Sequence, residues 1–272
     1  MVYRCCILLT NISKIEIERV VGLLRFLQEI VVDRIVCEIQ CEEKENVIRI
    51  TRYIYEQCYR ELKTPLYILM PQYTENYYQP EEGELVFRNE ALRNDSFYTQ
   101  TIEKIPLIPF PEYNKTDEYM ENYKKYRSGY IDGTYDHLHS GHLLLLSVAS
   151  LFSSHLTIGI CSDSIIKHKK HSDFLQTYPQ RLSKIQTFFN IFNPKAHISY
   201  FELFDSIIPA SEGDYDVVIS SSEPGHPIFE INSRRAQRSM NILENLIVQV
   251  LSISENKISS SFTRENLVRK IL

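Results

Sequence analysis

Residues 133–142, with the sequence Gly-Thr-Tyr-Asp-His-Leu-His-Ser-Gly-His, combine side chains that can hold phosphate groups. A strand-like run at residues 129–132 leads into them, and a helical pattern begins near Ser140. His139 and His142 are three positions apart, so they share one face of a helix. The first turn of a helix also presents free backbone N–H groups and the positive end of the helix dipole, both of which favour anions. The segment therefore predicts a phosphate-binding corner between a strand and a helix.

Three motifs in the second half of the chain resemble signatures of the nucleotidyltransferase superfamily. Gly-Thr-x-Asp at residues 133–136 and His-x-Gly-His at 139–142 resemble its first signature, and Ile-Ser-Ser-Ser-Phe-Thr-Arg at 258–264 resembles its second. Between them, residues 217–223 and the Ile-Asn-x-x-Arg segment at 231–235 are similar to one branch. That branch is the phosphopantetheine adenylyltransferases of the eukaryotic and archaeal type.

The resemblance covers residues 130–272 and implies a doubly wound, Rossmann-like parallel sheet there. It implies an enzyme that transfers AMP from ATP to 4′-phosphopantetheine, giving dephospho-coenzyme A and pyrophosphate in coenzyme A biosynthesis. The acceptor phosphate is already an anionic nucleophile, so the protein must position two mutually repelling anions and stabilise the developing charge. Hydrogen-bond donors and cations suffice for this. Mg²⁺ would arrive with ATP, and no acidic cluster in the sequence indicates a separate metal site.

The resemblance also assigns roles to individual residues. His142 and His139 would contact the ATP phosphates, with His142 as the transition-state donor, and Lys167 would neutralise phosphate charge. Thr134, Asp136 and Lys167 would contact the acceptor substrate. The full set expected to bind ATP is Gly133, Thr134, His139, His142, Ser221, Asn232, Arg235, Ser259, Ser260, Ser261 and Arg264.

Some of these residues, and some of their neighbours, also have a purely structural interpretation. Asp136 could hydrogen-bond the backbone of its own turn, and His137 would project away from the other two histidines. Arg181 could lie on the surface of a helix. The basic run at residues 167–171, Lys-His-Lys-Lys-His, could be a solvated loop. A serine-rich segment at 259–261 would by itself indicate only a helix cap.

Two positions depart from the resemblance. Asp132 stands where the family commonly has a glycine, which changes the approach to the phosphate. Residues 224–230 lack the glycine-rich composition of the adenylyltransferase branch. Neither departure removes a hydrogen-bond donor to the phosphates.

Two alternative functions belong to different classes. A cytidylyltransferase acting on a small phospho-alcohol would share the first signature, but it usually has an Arg-Thr-x-Gly sequence before the second. Here residues 255–257 are Glu-Asn-Lys, and the segment at 231–235 favours the adenylyl branch. A nucleotide-sensing or scaffolding descendant without activity is the other alternative, and the intact signature residues count against it. A fused kinase is excluded, since no G-x-x-x-x-G-K-[ST] sequence occurs.

The composition is that of a cytoplasmic enzyme. A formal net charge of −5 argues against a general nucleic-acid binder. Residues 143–152 form the longest near-continuous apolar stretch, which is too short to span a bilayer, and residues 5–9 are too short for a signal peptide. The six cysteines show no Cys-x-x-Cys pair, which predicts reduced thiols and no zinc site. We therefore expect no nucleic-acid or membrane partner; the oligomeric state is open, with a monomer slightly favoured.

Residues 1–126 are expected to form a smaller α/β domain of scaffold or regulatory role. Strand-like runs alternate there with helical patterns, which predicts a parallel layer. Residues 71–113 are polar and weakly periodic, which indicates irregular structure or an insertion, and residues 117–125 indicate a short linking helix. The predicted strands are 3–9, 34–39 and 66–69, and the predicted helices span 13–31 and 47–58.

Residues 127–272 are expected to form the catalytic domain, a repeated βα arrangement whose ligands lie beyond the carboxyl ends of the strands. Met240, Leu243, Ile247 and Val250 recur at helical spacing and predict a long helix at 240–250. The other predicted strands are 129–132, 156–160, 197–203 and 217–219, and the other predicted helices are 139–152, 179–192 and 261–271.

Overall fold

The computed structural model of the chain divides into two compact units, Met1–Thr116 and Asp117–Leu272. It describes residues 2–10, 14–41, 44–58, 64–88, 90, 125–222, 225–249, 252–253, 256–257 and 259–271. The domain boundary expected between residues 126 and 127 stays a prediction. The linking helix predicted for residues 117–125 falls almost wholly outside the described residues.

The first unit contains a parallel four-stranded sheet with the strand order β3-β2-β1-β4. The alternating pattern of strands and helices predicted for residues 3–69 is confirmed. Its elements are β1 (Val2–Thr10), α1 (Lys14–Ile30), β2 (Val31–Gln40), α2 (Lys44–Cys58) and β3 (Leu66–Leu69). The apolar positions of α1 that keep helical spacing, including Val20 and Leu24, are fully buried, so burial of one face accounts for this helix.

Residues 71–113 are not wholly irregular, and that prediction was wrong for their first part. A short helix, α3, spans Pro71–Thr74, and strand β4 spans Leu85–Arg88. Strand β4 lies parallel to β1, with Cys5 opposite Leu85. Only Phe87 of this edge strand is buried. One buried side chain in four residues leaves too weak an alternation for the sequence to reveal the strand.

The second unit contains a parallel five-stranded sheet with the order β7-β6-β5-β8-β9. The chain runs outward from β5 through β6 to β7 and then returns to the other side of β5 for β8 and β9. This reversal is the topological switch point of a doubly wound sheet, and the predicted fold class is confirmed. The strands are β5 (Tyr126–Gly133), β6 (Ser153–Cys161), β7 (His197–Leu203), β8 (Val217–Ser221) and β9 (Glu244–Val248).

Helices join these strands and cover the sheet. Tyr130 of β5 and Val218 of β8 pack with Ala210 and Ile231, which lie on the two helices that precede and follow β8. In chain order the helices are α4 (Ser140–Phe152), α5 (Asp163–Ile166), α6 (Tyr178–Phe192), α7 (Ile208–Glu212), α8 (Ile228–Gln237) and α9 (Ser260–Ile271). A two-stranded hairpin of β10 (Ser252–Ile253) and β11 (Asn256–Lys257) precedes α9.

The helix predicted at residues 240–250 does not exist, because this segment contains β9. Strand β9 pairs in parallel with β8, with Val217 opposite Glu244. Its burial alternates with a period of two, since Leu246 and Val248 are buried while Ile247 is 45% exposed. The apolar residues at positions 240, 243, 247 and 250 matched a helical period by coincidence of spacing, and sheet pairing decided the outcome.

Among the described residues, no helix combines the length and the apolar character needed to cross a membrane.

Candidate functional site

A cavity of about 460 Å³ lies at the carboxyl ends of β5, β8 and β9, next to the switch point of the second sheet. The turn after β5, the first turn of α4 and the start of α9 form its walls. Its described lining residues are Asp132, Gly133, Thr134, Tyr135, His139, Gly141, His142, Leu145, Lys169, Ser221, Val248, Gln249, Ser259, Ser260, Ser261 and Arg264. Both signature segments of the sequence therefore contribute to one cavity.

Two stacked imidazoles form one wall of this cavity. His139 is the N-cap residue of α4, and the ring centroids of His139 and His142 are 3.8 Å apart. Burial, the neighbouring His139 and the charge of Lys169 hold the pKa of His142 well below its usual value. The Nδ1 atom of His142 is buried and has no hydrogen-bond partner among the described residues. A neutral His142 can still donate one hydrogen bond to an anion, and a nearby phosphate would favour its protonation.

The turn between β5 and α4 carries backbone strain. Tyr135 and His137 have φ values of 52° and 45°, a region that residues with a side chain seldom adopt. Glycine at position 133 suits this close packing, since a Cβ there would lie 3.2 Å from the Tyr135 ring and the ring would have to shift slightly. Such conformations persist only where surrounding contacts hold them, and they are common at functional sites.

Gln176, in the loop before α6, fixes this turn through its side chain and its backbone. Its Oε1 atom accepts a hydrogen bond from the backbone N–H of His137 at 2.8 Å, and its own N–H donates to Asp136 at 2.9 Å. The ring of His137 contacts the carbonyl oxygen of Phe174 at 2.8 Å. As predicted, His137 does not line the cavity.

Arg181 joins the turn to the end of β6. Its guanidinium donates to the carbonyl oxygens of Thr134 (2.7 Å), Cys161 (2.6 Å) and Gln176 (3.0 Å), and to the carboxylate of Asp163 (2.7 Å). The side chain is completely buried. The expectation that Arg181 could lie on a helix surface was wrong, because these backbone carbonyls need a buried donor. No signal within α6 distinguishes this arginine from a solvated one.

Arg264 and Asp136 form a buried ion pair that connects the two signature segments. Arg264 also donates to the carbonyl oxygen of Lys170 at 3.0 Å and to the hydroxyl of Ser261 at 3.2 Å. Asp136 does not bond its own turn only, since its partners lie on Gln176 and Arg264. Arg264 lines the cavity but is 1% exposed, so its present geometry holds the walls of the cavity together.

The structure places Lys169, and not Lys167, at the cavity. The ammonium of Lys169 donates to the hydroxyl of Thr134 at 2.7 Å. Lys167 is exposed, ends α5 and does not line the cavity. The sequence has three lysines within residues 167–170, and the short helix α5 decides which of them turns towards the cavity.

The remaining candidates separate into two groups. Ser221 and the serines at 259–261 line the cavity, and the hydroxyl of Ser259 also accepts a hydrogen bond from the N–H of Phe262 as a helix cap. Asn232 instead pairs with the backbone of Leu243 through both of its amide atoms. Arg235 is 2% exposed and donates to the carbonyl oxygens of Asn241, Ala210 and Gly213. Neither of these two residues lines the cavity.

Asp132 brings a carboxyl group into a cavity otherwise rich in donors. It accepts a hydrogen bond from the Tyr130 hydroxyl at 3.0 Å. Burial raises the pKa of Asp132 to about 6, and the Tyr130 hydrogen bond opposes that rise. The sequence showed Asp132 as a departure from the family pattern but gave no indication of its surroundings.

A second cavity, of about 570 Å³, lies at the opposite edge of the same sheet. It is lined at the amino ends of the strands by residues such as Tyr126 and Glu244, whose side chains hydrogen-bond each other at 2.6 Å. Arg127 pairs there with Asp214 and Asp216. Arg127 and the two aspartates are thus already paired with each other, whereas the first cavity holds the unpartnered Nδ1 atom of His142 at the end of the sheet where doubly wound folds bind ligands.

The part of the chain that resembles known proteins contains both signature segments of this cavity. The family model described as cytidylyltransferase-like matches residues 130–266, which is half of the chain and includes both signature segments. The chain belongs to the cytidylyltransferase-like family. The nucleotidyltransferase family suggested by the motifs is thereby confirmed.

Relatives within this family carry a more specific name. A phosphopantetheine adenylyltransferase of Pyrobaculum aerophilum is 29% identical over 147 residues, which are 53% of this chain and 94% of that protein. A phosphopantetheine adenylyltransferase of Saccharomyces cerevisiae is 26% identical over 144 residues, which are 52% of this chain and 47% of that protein. A solved structure of a protein of unknown function from Archaeoglobus fulgidus has a TM-score of 0.40 and 19% identity, and the match covers 48% of this chain and 95% of that one.

The lining of the cavity includes one carboxylate that could bind a cation arriving with a nucleotide. The described residues contain no group of three or more His, Cys, Asp or Glu side chains placed to hold a metal ion. Both oxygens of Asp136 are occupied by Gln176 and Arg264, whereas Asp132 faces the cavity. Mg²⁺ is usually bound through one or two carboxylates together with substrate phosphates, so one carboxylate fits a magnesium–nucleotide complex.

Proposed function

We propose that this member of the cytidylyltransferase-like family transfers AMP from ATP to 4′-phosphopantetheine, with release of pyrophosphate. The observation that supports this most directly is the convergence of both signature segments on one cavity, where His142, Lys169 and the serines at 259–261 supply donors. The names of the relatives matched over the same half of the chain support the choice of substrates.

The reaction requires positioning and charge stabilisation. An oxygen of the acceptor phosphate attacks the α-phosphorus of ATP, a new P–O bond forms, and the bond from the α-phosphorus to the bridging oxygen breaks as pyrophosphate leaves. No proton has to be removed from the acceptor dianion. Catalysis then depends on holding both anions in line and on donors aimed at the oxygens where charge increases.

The chain's own residues divide this work. His142 and the N–H groups that begin α4 would face the α-phosphate, and His139 would extend the same donor surface. Thr134 and Lys169, joined by a 2.7 Å hydrogen bond, would hold the acceptor phosphate. The serines at the start of α9 would receive the leaving pyrophosphate at a helix N-terminus. Mg²⁺, when bound with ATP, would neutralise part of the phosphate charge.

Asn232, Arg235, Lys167 and Arg264 take different roles in this proposal from those implied by the resemblance. Asn232 and Arg235 support the segment before β9 through its backbone. Lys169 replaces Lys167 as the phosphate cation. Arg264 acts mainly by holding Asp136 and Lys170 in place.

The test is a substrate matrix with the full chain. ATP or CTP is offered with 4′-phosphopantetheine, phosphocholine, phosphoethanolamine or glycerol 3-phosphate, and both pyrophosphate and the nucleotidylated product are quantified. We expect ATP with 4′-phosphopantetheine to be the preferred pair. Faster turnover of CTP with a phospho-alcohol would assign the protein to cytidylyl transfer, and nucleotide binding without turnover of any pair would assign it to nucleotide sensing.

A further inference from the structure

Asp132 is the sole carboxylate among the described residues that line the cavity. It is the penultimate residue of β5, and Thr134 follows two positions later. The hydrogen bond it accepts comes from a neutral group, the Tyr130 hydroxyl at 3.0 Å. No ion pair joins it to any basic side chain that the structure describes. The ammonium of Lys169 is directed to the Thr134 hydroxyl instead.

An unpaired carboxylate conflicts with the rest of the cavity. Lys169, the imidazoles of His139 and His142 and the serine hydroxyls suit anions, and a phosphate held by them would be repelled by a nearby negative charge. Partly buried charges in proteins are normally paired or bound to a metal ion. A cation between the carboxylate and the phosphates would remove the conflict.

A second feature of the same cavity indicates a hydrated ion. Tyr135 is 1% exposed, and its hydroxyl has no hydrogen-bond partner among the described residues although the residue lines the cavity. Mg²⁺ retains several water ligands when it binds through few carboxylates. Those waters need hydrogen-bond acceptors, and a phenol oxygen can accept as well as donate.

We propose that Asp132 is the protein ligand for the divalent cation that accompanies the nucleotide, which rests on the proposed function of this cavity. The ion would be bound in the ternary complex of protein, cation and nucleotide, since a single carboxylate does not form a metal site by itself. Binding of the cation would explain a carboxylate at a position where the resemblance implies glycine.

The test compares nucleotide binding with and without magnesium, using α,β-methylene-ATP as an uncleavable probe and isothermal titration calorimetry as the readout. In EDTA, Asp132→Asn should bind the probe more tightly than the unmodified protein, because a repulsive charge is gone. In magnesium the order should reverse by roughly tenfold or more, because a charged ligand is lost. Asp132→Gly should behave in the same way, which guards against misfolding of one variant.

Asp173→Asn is the matched control, because it removes the same charge from an exposed position that does not line the cavity. It should leave both affinities unchanged. Mn²⁺ titration followed by electron paramagnetic resonance should show bound manganese only when the probe is present, and weaker binding in Asp132→Asn. The proposal is overturned if Asp132→Asn binds the probe more tightly than the unmodified protein both in EDTA and in magnesium. It is also overturned if the two proteins have equal affinities in both buffers. Either result would leave the nucleotide site intact. Absence of probe binding by the unmodified protein would overturn the proposed function as well.

Discussion

At the scale of single residues, His142 combines a lowered pKa with a position where phosphates are expected. Burial, His139 and Lys169 favour its neutral form in the free protein. A bound phosphate favours the charged form, so the pKa of His142 should rise when ATP binds. We therefore expect ATP binding near neutral pH to take up protons, and the affinity for ATP to increase as the pH falls. Calorimetry in buffers of different ionisation enthalpy measures this uptake.

The control for this proton uptake is another histidine of the same chain. His142→Gln should reduce the uptake, whereas His168→Gln, at an exposed position outside the cavity, should not. Equal uptake in all three proteins would mean that the phosphates do not reach His142.

The same side chain is expected to matter more for turnover than for binding. His142→Ala should lower turnover by roughly 10²–10³-fold, the loss typical when one preorganised donor to developing charge is removed. ATP affinity should change much less, because the donor is most effective where charge increases in the transition state. Steady-state kinetics together with direct binding measurements separate the two effects. Unchanged turnover with weaker ATP binding would restrict His142 to a binding role.

Residue types and spacing predicted the histidines, the serines and Thr134 as neighbours because their motifs fix them on the backbone. The sequence could not show which of Lys167 and Lys169 reaches the cavity. The direction of each side chain depends on the course of the chain after the four-residue helix α5. Asn232 and Arg235 matched a motif, yet their partners are carbonyl and N–H groups of the backbone. A sequence motif specifies the type of a residue, but it does not reveal whether that residue binds a ligand or the protein's own backbone.

At the scale of elements, the loop before α6 holds the strained turn after β5. Gln176→Ala removes the acceptor for the His137 N–H and should release the turn. We expect turnover to fall by more than roughly tenfold, because small displacements of positioning groups are costly to catalysis. The loss of thermal stability should be modest. Assays of turnover and thermal unfolding on the same protein provide the comparison.

Gln180→Ala is the matched control in the neighbouring turn. Its side chain accepts a hydrogen bond from the Thr177 N–H at 2.9 Å as part of the capping box of α6. Loss of that cap should cost about 1 kcal/mol of stability and leave turnover unchanged. If both variants lose turnover equally, α6 as a whole and not the Gln176 contact supports the site.

The ion pair of Arg264 and Asp136 links the turn after β5 to α9, and both side chains are buried. Arg264→Met should destabilise the second unit by about 3–5 kcal/mol, because it leaves an uncompensated buried carboxylate. Adding Asp136→Asn should recover part of the loss. Denaturant unfolding of the single and double variants yields the coupling energy.

Arg269→Met tests whether any arginine of α9 would have this effect. Arg269 pairs with Glu265 at 2.9 Å, but its side chain is 69% exposed. Its removal should cost less than about 1 kcal/mol. A similar cost for Arg264→Met would show that water reaches the buried pair.

Elements with a continuous apolar run or a strong helical face, such as β6 and α1, were predicted from sequence. The two strands of the main sheets that the sequence did not predict are β4 and β9. Strand β4 has four residues and buries one of them, and β9 has five residues and buries two, so the alternation is too short to identify either strand. Pairing with β1 and β8 determines these strands, and such pairing is not local information.

At the scale of the whole molecule, the chain consists of two compact units. All residues that line the candidate cavity belong to the second unit. We therefore expect residues 117–272 to fold alone, to bind α,β-methylene-ATP and to retain turnover. Circular dichroism, calorimetry and pyrophosphate release check these three properties. A folded but inactive fragment would show that residues 1–116 contribute to activity.

The first unit has the strand order β3-β2-β1-β4, which repeats the order β7-β6-β5-β8 of the second unit. The segment that connects β1 to α1, residues 11–13, is Asn-Ile-Ser and contains no histidine. The repeated topology therefore lacks the residues proposed for phosphate binding. A scaffold or regulatory role for the first unit stays a prediction.

The Asp136–Arg264 pair joins positions 128 residues apart, which has a consequence for biosynthesis. During translation Asp136 emerges long before its arginine partner, so the buried ion pair cannot form until α9 has been made. A nascent chain that stops before α9 would hold a strained loop around an unpaired charge, a state that proteases and chaperones recognise by its instability. The candidate cavity would then be complete only after α9 has folded against the turn that follows β5.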